Sequence, residues 1–326
     1  MTVKTNVQRA FRPTHPAGTA DTFTADAIAG LTAKPKTLSP KYFYDLQGSA
    51  LFDRITQLPE YYPTRCEIGI LQDNAPAIAS MFPSGSALIE FGSGSSRKAR
   101  ILLTAAASVG AYVPVDISGD FLQQDLVQLR RDLPHLLVHP LVEDFTQKFA
   151  IPRHLARLPR VGFFPGSTIG NFEPDEAGRF LRHIGKMLGA GSLLVVGIDL
   201  AKDEETLNHA YNDAEGVTAR FNLNLLARMN RELGADFDLA EFEHNAFFNR
   251  EKSRIEMHLA STRRQTVQIN GAAIDFRAGE TIHTENSYKY TVKSFRALAR
   301  KKGWSPVKVF TDGFFSVHVL RATGRG

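Results

Sequence analysis

Apolar positions along the chain fall first into helical stripes and then into short unbroken runs separated by amphipathic stretches. Residues 49–58 and 67–81 carry helical spacing, the second with Ile68, Ile70, Leu71, Ala75 and Ile78 on one side. Apolar runs follow at 87–89, 111–115, 136–141, 160–164 and 192–198, with helical segments such as 98–107 between them. Strands alternating with helices in this way predict a parallel sheet with right-handed crossovers. Such a sheet binds ligands outside the carboxyl ends of its strands. Beyond Asp199 the pattern changes. A long helical stretch, 207–233, leads to an aromatic and acidic segment, 237–249, and then to two period-two runs, 254–262 and 265–276, with a hairpin turn at Asn270-Gly271. A helix over 292–303 and two closing runs, 307–310 and 315–320, return to the first pattern. The predicted fold class is α/β, a Rossmann-like sheet with a second α+β lobe inserted into it. On this reading 66–200 and 288–326 form the sheet domain, 21–65 and 201–287 the lobe, and 1–20 a flexible leader punctuated by Pro13, Pro16 and Gly18.

Composition adds mainly exclusions. The chain has 326 residues, 43% hydrophobic and 22% charged, which suits one large or two modest soluble domains with ample core. No run approaches the ~18 apolar residues of a membrane span, and the first thirty residues lack a signal-peptide core, so a cytoplasmic protein with no membrane partner is expected. The single cysteine, Cys66, rules out an internal disulfide. The ten histidines are scattered without zinc spacing, so no metal is expected. The net charge of +5 is spread out, and Arg263-Arg264 and Arg300-Lys301-Lys302 read as solvated faces. With no basic stripe interleaved with aromatics, nucleic acid is not an expected partner.

Candidate chemistry begins at the first run of the parallel series. Glu90 is followed by Gly92-Ser93-Gly94-Ser95-Ser96 and a helix, and the next strand ends at Asp116, 24 residues after Gly92. A glycine turn lets a cofactor approach the backbone, and an acid at the second strand end can grip vicinal ribose hydroxyls. A dinucleotide site would need a third glycine where Arg97 stands. The segment Glu90-Phe91-Gly92-Ser93-Gly94 instead resembles the first motif of class I S-adenosylmethionine-dependent methyltransferases, whose cofactor has no pyrophosphate. An ordinary βα turn, a nucleoside-binding module and an NAD-dependent oxidoreductase remain competing readings. Tyr42, Tyr44, Tyr61 and Tyr62 flank turns and either line a pocket or pack as core aromatics.

Six further motifs sharpen the picture: Tyr42-Phe43-Tyr44-Asp45, Leu58-Pro59-Glu60-Tyr61-Tyr62-Pro63-Thr64-Arg65, Gly166-Ser167-Thr168-Ile169-Gly170-Asn171, Ala210-Tyr211-Asn212-Asp213-Ala214, Arg254-Ile255-Glu256-Met257 and Thr284-Glu285-Asn286-Ser287. With them, residues 31–320 closely resemble the histidine Nα-methyltransferases of ergothioneine biosynthesis. The resemblance implies a class I methyltransferase fold, S-adenosylmethionine as cofactor, and trimethylation of free L-histidine to hercynine. It implies that Gly92, Lys98, Asp116, Asp144 and Phe145 hold the cofactor, joined by Ser93 and Gly94 of the turn, with Asp116 on the ribose and Asp144 near the adenine amino group. Asn171 and Tyr211 would bind the substrate carboxylate and amine region, with Tyr44 and the Gly166 carbonyl near the amine. Tyr61, Glu285 and Ser287 would face the side chain, with Met257 packed beside it. No histidine base is expected, because a site that binds the neutral amine need only position it. Asn286 and Tyr288-Lys289-Tyr290 depart from the family pattern and leave open a pocket for another amino acid, such as tryptophan or tyrosine. A monomer is expected.

Overall fold

The computed structural model describes residues 19–117 and 119–324. The expected leader lies outside them, except for residues 19 and 20, which open the first helix. In chain order the elements are α1 (Thr19–Thr32), β1 (Lys36–Thr37), α2 (Leu46–Ile55), α3 (Tyr62–Ala79), β2 (Ala87–Phe91), α4 (Arg97–Ala105), β3 (Ala111–Asp116) and α5 (Gly119–Asp132). There follow β4 (Leu137–Val138), β5 (Leu141–Val142), β6 (Arg160–Phe164), α6 (Pro174–Leu188), β7 (Leu193–Asp199), α7 (Glu204–His209) and α8 (Val217–Leu233). The chain then runs through β8 (Phe242–Asn249), β9 (Arg254–Ser261), β10 (Gln265–Ile269), β11 (Ala272–Phe276), β12 (Thr281–Tyr288), α9 (Val292–Lys301), β13 (Trp304–Thr311) and β14 (Phe315–Ala322).

The large sheet has the order β13-β14-β7-β6-β2-β3-β4, with β5 also paired to β3. Its strands run parallel from β4 to β7, and the last two, β14 and β13, are antiparallel. This is the expected α/β sheet with its closing strand pair. Every residue of β2 and of β7 is buried, as a strand covered on both faces requires. One face packs Ile70, Leu71 and Ile78 of α3 with Leu102 of α4. The other packs Phe180, Leu181 and Ile184 of α6 with Phe295 of α9 and Trp304. The Trp304 indole N–H donates to Leu181 O at 2.8 Å, so its burial leaves no donor unpaired. Each such side chain contributes about 1.5–3 kcal/mol on burial.

A second sheet, β1-β12-β9-β8, covers its core with α1, α2 and α8, and the β10-β11 hairpin completes that core. Asn270 and Gly271 both take positive φ, +46° and +83°, as the two-residue hairpin turn demands. Among the described residues no helix is long and apolar enough to cross a membrane.

Three expectations change. The 136–141 run is not one strand: Pro140 has no N–H to donate, and pairing breaks into β4 and β5 on either side of His139-Pro140. The helical stretch 207–233 is interrupted after His209. Asp213 accepts from Val217 N and Thr218 N at 2.7 and 2.8 Å and starts α8 afresh, leaving Tyr211 in the break. The segment 237–249 ends in strand β8, and β12 adds a strand that sequence periodicity did not mark.

Candidate functional site

A crevice of about 810 Å³ opens at the carboxyl ends of β2, β3 and β6, lined by Gly92, Ser93, Gly94, Lys98, Asp116, Asp144 and Phe145. The turn after β2 is built by its glycines. Gly92 has φ +68°, a conformation that favours glycine, and a Cβ there would lie 3.1 Å from the Phe145 ring, which would have to shift to admit it. The Gly94 N–H donates to Asp116 Oδ2 at 2.9 Å, which aims the carboxylate along the crevice. Asp144 closes a local turn by accepting from the Thr146 N–H and hydroxyl at 2.9 and 2.5 Å. Beneath the floor, the fully buried Glu90 accepts from Ser93 Oγ at 3.0 Å and from the Tyr112 hydroxyl. A nucleoside fits this cradle: backbone exposed at a glycine turn, an aromatic wall and an acid at the neighbouring strand end.

Lys98 is tied to a residue that sequence reasoning missed. Its ammonium lies 2.6 Å from Glu67 Oε2, and Glu67, only 1% exposed, also accepts from the Gly166 N–H at 2.8 Å. Glu67 sits on the expected helix among apolar neighbours, so nothing in the spacing marks it. Removing it leaves a part-buried ammonium and an amide without partners. Glu67→Ala is therefore expected to destabilise the protein by about 3–5 kcal/mol, read by urea denaturation. A loss under 1 kcal/mol would mean that the pair does not hold the Gly166 loop.

A small chamber adjoins the crevice and is lined by Tyr44, Tyr61, Gly166, Asn171, Tyr211, Met257, Glu285 and Ser287. Tyr44, Tyr61, Gly166 and Asn171 also line the crevice, so the two cavities share a wall. Phe52, Phe221 and Asp199, which the sequence reading did not select, line the chamber as well. Tyr44 meets Phe52 and Phe221 edge-on at 5.7 and 5.8 Å, and Tyr61 meets Tyr211 at 6.2 Å. The tyrosine cluster thus divides. Tyr42 bonds Asp26 at 2.6 Å and stacks on Phe23, and Tyr62 donates to Asp199 at 2.8 Å, whereas Tyr44 and Tyr61 face the cavities. Burial, with Glu285 and Tyr61 nearby, holds the Tyr44 hydroxyl well above the ordinary phenol range. Tyr61 is raised by burial, then by Tyr211 and Glu285, so both hydroxyls keep their protons at neutral pH.

Two backbone devices bring Asn171 and Glu285 together. At Gly170 a Cβ would sit 2.8 Å from the Tyr288 carbonyl, so glycine allows the loop after β6 to lie against β12. Asn171 Nδ2 then donates to Glu285 Oε1 at 2.8 Å. The second device is a bulge in β12. His283 faces His258 on β9, yet Glu285, not Thr284, pairs with Met257, and Asn286 takes the place opposite Glu256. The extra residue turns Glu285 and Ser287 to the Met257 side, into the chamber. It turns Asn286 and Tyr288 away, where both bond Glu173, at 3.1 and 2.6 Å. The expected departure at Asn286 and Tyr288 therefore does not reshape the chamber. Burial pushes the Glu285 carboxyl up to about 7, against the opposing pull of Lys289 and Asn171.

On the far face of the same sheet, Glu256, His258 and His283 hold ligand atoms within 4.8 Å of one another, a cluster that sequence spacing gave no sign of. Glu256 Oε1 is taken by Arg254 and Asn249 at 2.8 and 3.0 Å. The two imidazoles stack with centroids 4.6 Å apart and planes 13° from parallel, so their lone pairs do not converge on one ion.

The crevice thus meets a small polar chamber across a shared wall, and comparison with known proteins shows the family to which the chain belongs. The family described as histidine-specific, S-adenosylmethionine-dependent methyltransferases matches residues 23–322. Histidine N-alpha-methyltransferase of Mycolicibacterium smegmatis is 41% identical over 302 residues, 90% of this chain and 92% of that protein. Its counterpart in Mycobacterium tuberculosis is 40% identical over 296 residues, 88% of this chain and 90% of that protein. Ergothioneine biosynthesis protein 1 of Neurospora crassa is 32% identical over 297 residues, 88% of this chain but 33% of that longer protein. With a family match over residues 23–322 and two relatives at 40–41% identity covered to nine-tenths of their length, the protein belongs to the histidine-specific, S-adenosylmethionine-dependent methyltransferase family.

Proposed function

We propose that the protein transfers three methyl groups from S-adenosylmethionine to the α-amine of free L-histidine, giving hercynine for ergothioneine biosynthesis. The observation that carries this reading is the shared wall. Residues suited to a nucleoside and residues suited to an amino acid line two cavities that meet at Tyr44, Tyr61, Gly166 and Asn171. In this proposal Gly92, Ser93, Gly94, Lys98, Asp116, Asp144 and Phe145 hold the cofactor from the sheet domain, 66–200 and 288–326. The lobe, 21–65 and 201–287, supplies most of the substrate contacts.

When bound, the cofactor's sulfonium supplies an electrophilic methyl group, and the protein's task is to orient a neutral amine towards it. Tyr44 and the Gly166 carbonyl offer the amine partners about which it can turn as each methyl is added. Both tyrosine hydroxyls stay protonated, which makes them hydrogen-bond partners and not bases. The rings of Tyr44, Phe52, Tyr61 and Phe221 attract the methylammonium charge by ~0.5–2 kcal/mol. Asn171 and Tyr211 receive the carboxylate and amine region, the Tyr211 oxygen as an acceptor because its proton is given to Ser287, and Glu285 accepts an imidazole N–H beside Met257 and Ser287.

Incubating the protein with histidine and S-adenosylmethionine is expected to give mass increments of one, two and three methyl groups. Faster turnover of tryptophan or tyrosine than of histidine would end this assignment. Calorimetric binding of NAD, with none of S-adenosylhomocysteine, would end the cofactor assignment.

A further inference from the structure

We propose that Lys289 is a positioning residue that sets the hydrogen-bond polarity of Ser287, so that the side-chain end of the site demands a ring bearing both a donor and an acceptor. The inference rests on the reading of the chamber as the amino-acid site. Lys289 lines neither cavity, and its side chain is fully buried between the end of β7 and the end of β12. Its ammonium lies 2.7 Å from Asp199 Oδ2, 2.8 Å from Ser287 Oγ and 3.2 Å from the Tyr211 hydroxyl. An ammonium has three donors and no acceptor, so all three neighbours accept from it.

The Tyr211 hydroxyl spends its own proton on Ser287 Oγ at 2.8 Å. Ser287 Oγ thus accepts from Lys289 and from Tyr211. A hydroxyl oxygen has two lone pairs, both now used, and the serine proton is left to point into the chamber that Ser287 lines. Two positions earlier on the same strand face, the Glu285 carboxylate can only accept when ionised. One wall therefore reads a ring N–H and the other a ring lone pair. Neutral imidazole presents both. Pyrrole and indole present only the first, and a phenyl ring neither.

Asp199 does not depend on the lysine alone for partners. Asp199 keeps Lys202 at 2.6 Å and the Tyr62 hydroxyl at 2.8 Å when Lys289 is replaced, so no buried carboxylate is orphaned. Without the ammonium, Ser287 regains a lone pair and can accept as readily as donate.

The test compares kcat/KM for histidine with kcat/KM for pyrrolylalanine, whose ring keeps an N–H and has carbon in place of the second nitrogen. The intact protein is expected to prefer histidine by about tenfold or more, the worth of one such hydrogen bond. Lys289→Met is expected to bring that ratio within about threefold of unity, and Ser287→Ala to do the same. The double variant should lose no more of the ratio than either single one, because the lysine acts through the serine. A lysine that served only the fold would lower both substrates together and leave the ratio intact, and that result overturns the proposal. Retention of the ratio in Ser287→Ala overturns it too, whatever the stability of Lys289→Met. If the intact protein fails to methylate histidine at all, it is the assigned substrate that falls. Histidine turnover with an unmoved ratio in the variants defeats only the role given to Lys289.

Discussion

Asp116→Ala is expected to weaken binding of S-adenosylhomocysteine by two to three orders of magnitude, with a much smaller change in global stability. A carboxylate that accepts from two ribose hydroxyls makes two charge-assisted hydrogen bonds, each worth about 1.5–3 kcal/mol, and alanine removes both. It also releases the Gly94 N–H, which Asp116 Oδ2 now holds at 2.9 Å, so the glycine turn of the proposed cofactor site loses its tether. Asp116→Asn separates the two effects, since its amide oxygen can still accept from Gly94 while the charge is gone. The asparagine variant is expected to bind between the parent and the alanine variant. Isothermal titration gives the affinities directly, and wild-type affinity in Asp116→Ala would remove this carboxylate from the cofactor site.

Glu285→Ala is the second large effect. It is expected to raise the KM for histidine by about 10- to 100-fold and to leave S-adenosylhomocysteine affinity near normal, because an imidazole N–H loses a charged acceptor worth about 1.5–3 kcal/mol. Unchanged histidine kinetics would show that the chamber does not read the side chain through this residue.

The same carboxyl makes a stability prediction whose sign follows from its environment. Burial raises it to about 7 from an ordinary value of 4.5, so the folded protein favours the neutral acid. The stabilising contribution is full below the unfolded value and is lost as pH rises through about 7. Glu285→Gln, permanently neutral, should therefore be more stable than the parent at pH 8 by up to about 3 kcal/mol, and the gap should close towards pH 4.5. Urea denaturation without substrate at pH 5 and pH 8 measures it. A gap of the same size at both values would mean that the carboxyl is not strained by burial. The cost that the parent bears at neutral pH belongs to the carboxyl proposed above to read the substrate ring.

Much of this site was legible before any coordinates. The apolar runs ending at Glu90, at Asp116 and ahead of Gly166 identify strand ends, and in a parallel sheet strand ends are where ligands go. The residues named from those ends do line one crevice. Glu67 and Lys289 escaped because a lone charged residue in an amphipathic helix, or just after a strand, looks like any solvated side chain. Only the tertiary fold shows that Glu67 is 1% exposed against the Gly166 loop and that Lys289 is enclosed with Asp199. Phe52 and Phe221 escaped for the converse reason. Their helical spacing is that of core residues, and both do pack on core aromatics while also lining the chamber.

The sequence by itself determined the alternation of strands and helices, the glycine turn, and the acid 24 residues beyond it, because backbone periodicity and turn chemistry are local properties of the chain. The tertiary structure alone decided which way Glu285 and Ser287 point. Strand alternation has a period of two, so one inserted residue exchanges the faces of everything after it, and whether β12 bulges at Thr284 depends on its pairing with β9. It likewise decided that α7 and α8 part at Tyr211. A local cap at Asp213 competes with helix continuation there, and Tyr211 is held in the break by Ser287 on β12, 76 residues away, and by Lys289 just beyond that strand.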